Sequence, residues 1–240
     1  MRAPAYGFEF FQNCISCKWR REGYFCNLAG AALQAFDAIA FTNVYPGGAV
    51  LYSEGEAPRG TFLICRGTVK LSMSSGDGKT LITRIAEQGE VLGLSSALSG
   101  NAYKATAETL EPSQVNFIKR EDFAKFIADF PDACMNANHQ LTQECEIEAD
   151  HLRALGLSHS AAEKLARLLL SWADEHGRPA ESGTRVPLLM THEDISQLIG
   201  TSRETVTRLL KEFREKNIIS IKGASLMILS RPALEALVLL

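Results

Sequence analysis

THEDISQLIGTSRETVTRLLKEFREKNII, residues 191–219, falls into two short helical patterns on either side of one glycine. Thr191 with Asp194 three residues later is a capping-box-like helix start: the threonine oxygen takes a first-turn N–H and the acid returns the bond. Ile195, Leu198 and Ile199 give that helix one apolar stripe. Gly200 supplies a tight turn, and Ser202 is an N-cap for the second helix. Val206, Leu209, Leu210 and Phe213 then recur at i, i+3, i+4 and i+7, the signature of a half-buried helix. Ser202, Arg203, Glu204, Thr207, Arg208 and Lys211 lie at its start or on its opposite face. This spacing predicts a helix-turn-helix whose second helix offers its N-terminal side chains to the major groove. The stretch NIISIKGASLMIL (217–229), turning near Lys222-Gly223, reads as a hairpin wing.

The residue types suit that task. Arginine can donate two parallel hydrogen bonds to guanine O6 and N7, and glutamate can accept from cytosine N4. Arg203, Arg208, Lys211 and Arg214 would meet phosphates. A pair of packed helices with a charged outer face can also be merely solvated. Caps, turn glycine, spacing and wing together favour the DNA-reading account.

Before this motif, SAAEKLARLLLSWADEH (160–176) is an amphipathic helix, and GRPAESGTR after it reads as a loop. Further upstream, Phe123, Phe126, Ile127 and Phe130 are spaced for a helix that Pro131 restarts. A long helix is then expected to run to about Leu157. Cys134, Asn138, Leu141, Cys145, Glu148, Leu152 and Leu155 alternate steps of four and three, the seam of a two-stranded coiled coil. The narrow stripe and polar flanks predict a dimer interface through Leu141, Cys145, Glu148, Leu152 and Leu155, against the plainer reading of a helix packed on its own domain. Residues 42–118 read as short strands broken by glycine turns, among them TFLIC (61–65), TVKLSM (68–73) and TLITRIA (80–86), with a hairpin tip at Ser75-Gly76-Asp77-Gly78. Regular short strands predict a sandwich or barrel.

Composition sets limits. A chain of 240 residues that is 46% hydrophobic can bury one large core or two ordinary ones. Its net charge of −3 means that any DNA-binding surface must be local. The start, MRAPAYGFEFFQNC, lacks the pattern of a secretory signal, and no apolar run is long enough to span a bilayer. A cytoplasmic protein without membrane association is expected. Thiols stay reduced in that compartment, so CISCKWRREGYFC (14–26), with Cys14, Cys17 and Cys26, points to metal binding or redox sensing. Iron-sulfur clusters, zinc and a thiol switch all remain open: thiolates bind iron and zinc alike, and Lys18, Arg20 and Arg21 would favour thiolates electrostatically. No G-x-S-x-G, P-loop or H-E-x-x-H motif occurs, so no catalytic residues are expected and an enzyme is disfavoured.

SRETVTRLL and the order of parts resemble the CRP/FNR family of bacterial transcription regulators, over about residues 30 to 235. The resemblance implies an α+β architecture. The parts would be a cysteine-bearing segment (1–30), a β-roll (jelly-roll) sensor (31–120), a dimerisation helix (121–157) and a winged helix-turn-helix (158–240). It implies a homodimer on a palindromic operator in double-stranded DNA, with RNA polymerase as a further partner. Glu204 and Arg208 would read a TGA-like core and Arg203 an adjacent guanine. Members that bind cyclic nucleotides carry a phosphate cassette. In GEVLGLSSALSGNAYKATAE (89–108) its acid, arginine and serine are replaced by Leu94, Lys104 and Ala105, so cAMP is not expected. Haem would need an axial ligand, for which His139 and His151 qualify by residue type only. The three N-terminal cysteines resemble the FNR branch, which implies a 4Fe-4S cluster and an acidic residue, here Glu148, opposing its twin on the dimer helix. That branch's cysteine from the β-roll is Asn116 here. Cys65 is the first choice of fourth ligand, an aspartate or histidine could serve, and Cys145 and Cys134 are weaker candidates.

Overall fold

The computed structural model describes residues 13–20 and 25–238, which divide into two compact units between Glu148 and Ala149. Arg21, one of the basic residues set beside the cysteines, lies outside the described residues.

The first unit opens with helix α1 (Gly30–Ile39), followed by strands β1 (Ala40–Tyr45), β2 (Val50–Tyr52), β3 (Gly60–Arg66), β4 (Val69–Ser74), β5 (Thr80–Ala86) and β6 (Val91–Leu92). Helix α2 (Leu94–Ser99), strands β7 (Thr106–Thr109) and β8 (Ser113–Lys119) and helix α3 (Arg120–Asp129) complete the roll. Two four-stranded antiparallel sheets form it, in the orders β1-β8-β3-β6 and β2-β7-β4-β5. Between the sheets pack Leu51, Tyr52, Phe62, Ile64, Val69, Leu71 and Val115. On the far side of the first sheet, Leu63 and Ile118 pack with Leu33 and Phe36 of α1 and Phe123 and Phe126 of α3. Strand β3 is therefore covered on both faces, which is why TFLIC runs apolar without alternation. Gly60 begins this strand where β8 comes closest: a Cβ there would stand 2.0 Å from the Ile118 carbonyl oxygen.

Helix α4 (Pro131–Leu157) starts on a proline, whose missing N–H costs nothing at a first helical position. Its Ala133, Ala137 and Gln140 are buried, along one line at helical spacing.

The second unit contains α5 (Ala161–His176), β9 (Arg178–Ala180), β10 (Gly183–Pro187), α6 (His192–Ile199), α7 (Arg203–Glu215), β11 (Ile219–Lys222), β12 (Ser225–Ile228) and α8 (Arg231–Val238). The expected loop GRPAESGTR is instead a hairpin: β9 pairs with β10, and β10 joins β12, giving a wing sheet in the order β11-β12-β10-β9. Its polar, proline-bearing sequence conceals this, and β12, the strand that ties β10 into the sheet, lies some forty residues downstream. Pro179 is tolerated because β9 is an edge strand.

Candidate functional site: a cysteine-lined cavity and a DNA-reading helix

The N-terminal segment is polar, but two apolar residues anchor it. Phe25 is buried with its ring 5.7 Å from Phe36 and 5.5 Å from Phe123, and Leu28 enters the same core. Sequence reasoning took no account of these anchors, whose signal was two apolar residues flanking Cys26. Cys26 rides beside Phe25 in a short 3-10 turn. Upstream, Asn13 accepts from the Ser16 backbone N–H at 2.8 Å, and the Cys17 N–H bonds to the Cys14 carbonyl at 3.4 Å. The C-x-x-C stretch is thus a tight turn with both thiols on one loop. The Cys14 N–H donates to the Asp37 carboxylate of α1, which ties that loop to the roll.

One cavity receives the result. Cys14, Cys17, Cys26 and Cys65 all line it, with Asn116, Arg20 and Trp19. Cys65 sits at an irregularity in the β3–β8 pairing, between Ile64 and Arg66. Asn116 of β8 accepts from Thr42 Oγ1 at 2.8 Å and donates to Cys14 Sγ at 3.4 Å, so its amide faces the same cavity. Cys134 and Cys145 lie on α4 and do not line it. His139 is exposed on α4, and the His151 ring bonds to the Leu198 carbonyl at 2.7 Å, which accounts for it without a ligand role.

The electrostatics run opposite to the expectation that nearby basic residues would favour thiolates. Burial pushes the Cys14 thiol up to about 12, and the Asp37 carboxylate, Cys26 and Cys17 add to the rise. Burial raises Cys65 well above its ordinary value, with Cys14, Cys26 and Cys17 contributing. Arg20 does not counter this: its guanidinium is held by the backbone carbonyls of Cys26, at 2.7 Å, and Leu28. Removing water from crowded sulfurs outweighs the diffuse pull of exposed cations. In metal-free protein, iodoacetamide at pH 8 is therefore expected to modify exposed Cys145 first. Cys14 and Cys65 should react at least about tenfold more slowly and catch up as the pH rises, because the thiolate is the reacting form. Peptide mapping of a time course checks this; comparable rates at Cys14 and Cys145 would refute the burial account.

Among the described residues, no three His, Cys, Asp or Glu side chains converge tightly enough to hold a single metal ion. A tetrahedral zinc needs four donors around one point, its sulfurs each about 2.3 Å away. An iron-sulfur cluster takes its thiolates at different irons, so its four donors need not meet at one point.

Hydrogen bonds and ion pairs lead from this cavity to α4. Gln88 Nε2 donates to the Trp19 carbonyl at 2.7 Å, and the Ile64 N–H donates to the Glu90 carbonyl at 2.9 Å. The Val91 backbone is bonded at both ends by the Gln140 side chain, at 2.9 and 2.7 Å. Buried Arg84 pairs with Glu90 and, at 2.8 Å, with Glu144 of α4. On the same helix Cys145, Glu148 and Leu152 are exposed, Leu152 by 72%. Leu141 leans partly on the roll's core, and Leu155 covers Gly200 in the second unit.

In the helix-turn-helix the Thr191–Asp194 capping box forms, and Gly200 ends α6 at φ 64°. Ser202 caps α7 by accepting from the Thr205 N–H at 3.2 Å, so its hydroxyl is already engaged. Val206, Leu209, Leu210 and Phe213 are buried while Arg203, Glu204, Thr207, Arg208 and Lys211 are exposed. Arg208 is paired along the helix with Glu212 at 2.6 Å. Base or phosphate contact by Arg208 must compete with that exposed pair, which is a weak competitor.

Residues 163–237 match the Crp-like helix-turn-helix domain family, and residues 42–130 match the cyclic nucleotide-binding domain family. The transcriptional activatory protein AadR of Rhodopseudomonas palustris is 28% identical over 234 residues, 98% of this chain and 96% of that protein. A CRP-like cAMP-activated global transcriptional regulator of Mycobacterium tuberculosis is 26% identical over 208 residues, 87% of this chain and 92% of that protein. The structure of FixK2 from Bradyrhizobium japonicum superposes with a TM-score of 0.72 at 24% identity, covering 83% of this chain and 97% of that one. Both named relatives are transcription regulators, not enzymes.

Proposed function

Because this chain belongs to the CRP/FNR family of DNA-binding transcription regulators, we propose that it is a homodimeric switch on a palindromic operator, set by an iron-sulfur cluster. The cluster would be of the 4Fe-4S type, held by Cys14, Cys17, Cys26 and Cys65. One observation carries this reading: the three cysteines of the N-terminal stretch and Cys65 of β3 line a single cavity. The burial and mutual crowding of Cys14 and Cys65 keep those thiols protonated unless a cation compensates them. A cluster bound there would supply iron–thiolate bonds that oxidants can attack.

The chain's own residues do the rest. Phe25 and Leu28 hold the ligand loop on the roll, and Gln88, Glu90 and Val91 connect its surroundings to Gln140 and Glu144 of α4. Exposed Glu148 would face its twin across the dimer axis, where like charges oppose pairing. An ordered ligand loop would brace α4 against that repulsion. A nucleotide effector has less support in the roll. Leu94 is buried, Ala105 offers no hydrogen-bonding side chain, Lys104 is exposed, and Arg84 is already paired with two carboxylates. No helix among the described residues is long and apolar enough to cross a membrane. A cytoplasmic location, where thiols stay reduced, and contact with RNA polymerase belong to the proposal.

Protein purified without oxygen tests it. About four irons and four sulfides per chain are expected, with a dimer by sedimentation that dissociates in air. Glu148→Ala should keep the aerated protein dimeric. Stoichiometric zinc without iron, or colourless protein that dimerises and binds DNA regardless of air, would overturn the cluster reading.

A further inference from the structure

Strand β8 runs between β1 and β3, and its Asn116 pairs with Thr42 on one side and Leu63 on the other. Asn116 is only 2% exposed. A buried amide is costly unless its polar ends are bonded. Here both ends are: the Thr42 hydroxyl lies 2.8 Å from Oδ1, and Nδ2 lies 3.4 Å from Cys14 Sγ. The backbone N–H of the same residue favours the thiolate of Cys65. One residue thus addresses a sulfur on the N-terminal loop and a sulfur on β3.

The sense of these bonds follows from which groups carry protons. A metal-bound thiolate has none and can only accept. The amide must therefore turn Nδ2 to Cys14, which leaves Oδ1 toward Thr42, and the threonine hydroxyl supplies the proton that Oδ1 needs. Thr42 in this way selects the end of the amide that meets the sulfur.

We infer that Asn116 and Thr42 are positioning residues for the cluster: Asn116 raises its reduction potential by donating a hydrogen bond to the Cys14 thiolate, and Thr42 holds the amide in the sense required. This rests on the cluster reading above. An added electron increases the negative charge on the thiolates. A donor aimed at one of them then stabilises the reduced form more than the oxidised form.

The test is voltammetry of anaerobically purified full-length protein on an electrode. One electron passes from the electrode to the bound cluster, and no bond is made or broken. Asn116→Leu keeps the volume and removes the donor. At a fixed potential the ratio of reduced to oxidised cluster should fall about tenfold, a shift of the midpoint by about 59 mV to lower potential. Thr42→Val leaves the amide in place without its anchor and should shift the midpoint the same way by less. Thr42→Ser keeps the hydroxyl and should hold the parent's value. Parent midpoints in both Asn116→Leu and Thr42→Val would overturn the inference and leave the cluster reading intact. If Asn116→Leu takes up no iron, Thr42→Val decides, and a parent midpoint there refutes the inference. A Thr42→Ser midpoint as low as that of Thr42→Val would assign the shift to lost packing and overturn the role of Thr42. Parent protein without iron and sulfide would defeat the cluster reading and this inference with it.

Discussion

Replacing Cys65 with serine is expected to bring the anaerobically purified protein from about four irons per chain to well below one. Four donors are needed, and Cys65 is the only cavity-lining cysteine supplied by the β-roll among the described residues. Losing it leaves three thiols, of which Cys14 resists ionisation because it is buried beside Asp37 and other sulfurs. Asparagine at 116 cannot replace it, since its amide offers no thiolate. The β3–β8 register places a remedy close by. Asn116 pairs with Leu63, two residues before Cys65, and its side chain reaches Cys14 across the same cavity. The double variant Cys65→Ser, Asn116→Cys should therefore regain iron and sulfide, with the ligand moved to the adjacent strand. Metal and sulfide analysis, with visible absorbance, reads both steps. A full iron complement in Cys65→Ser would remove Cys65 from the ligand set and turn attention to the Asp37 carboxylate beside Cys14.

Arg203→Ala should cost more at the operator than any other single change on α7. An arginine bidentate to guanine carries about 1–3 kcal/mol of discrimination. A symmetric dimer loses it twice, so binding should fall roughly 30- to 20,000-fold on an operator selected from random duplex and much less on random duplex itself. Specificity should relax at one base pair in each half-site. Lys211→Ala serves as the contrast. Removing one phosphate-facing cation from each subunit weakens binding alike on all sequences and lowers the salt slope by about two per dimer. Iron content should not change in either variant. An equal loss on specific and random DNA would show that Arg203 touches the backbone and reads no base.

The legible parts of the fold are those written locally. Both helices of the helix-turn-helix, the capping box, the Gly200 turn and the 217–229 hairpin follow from residues within a few positions of one another. The β3, β4 and β5 strands are readable from apolar β-rich runs between glycines. The wing's extra hairpin is not, because β9 and β10 carry polar and breaker residues and β10 is tied into the sheet by the distant strand β12. The ionisation of the cysteines escapes sequence reasoning for a related reason. Adjacent basic residues are visible in a sequence, whereas burial and the crowding of sulfurs exist only after folding.

Local patterning alone therefore specifies a winged helix-turn-helix behind a β-rich domain and a long helix, together with three clustered thiols. Helix periodicity, caps and turn glycines act over one or two turns and need no distant partner. The meeting of Cys65 with those thiols in one cavity is a product of the folded chain, as is the link from that cavity's surroundings through Gln88, Glu90 and Val91 to α4. Both depend on strand register and on which face of β3 turns toward α1, and these are set by packing between segments far apart in the chain.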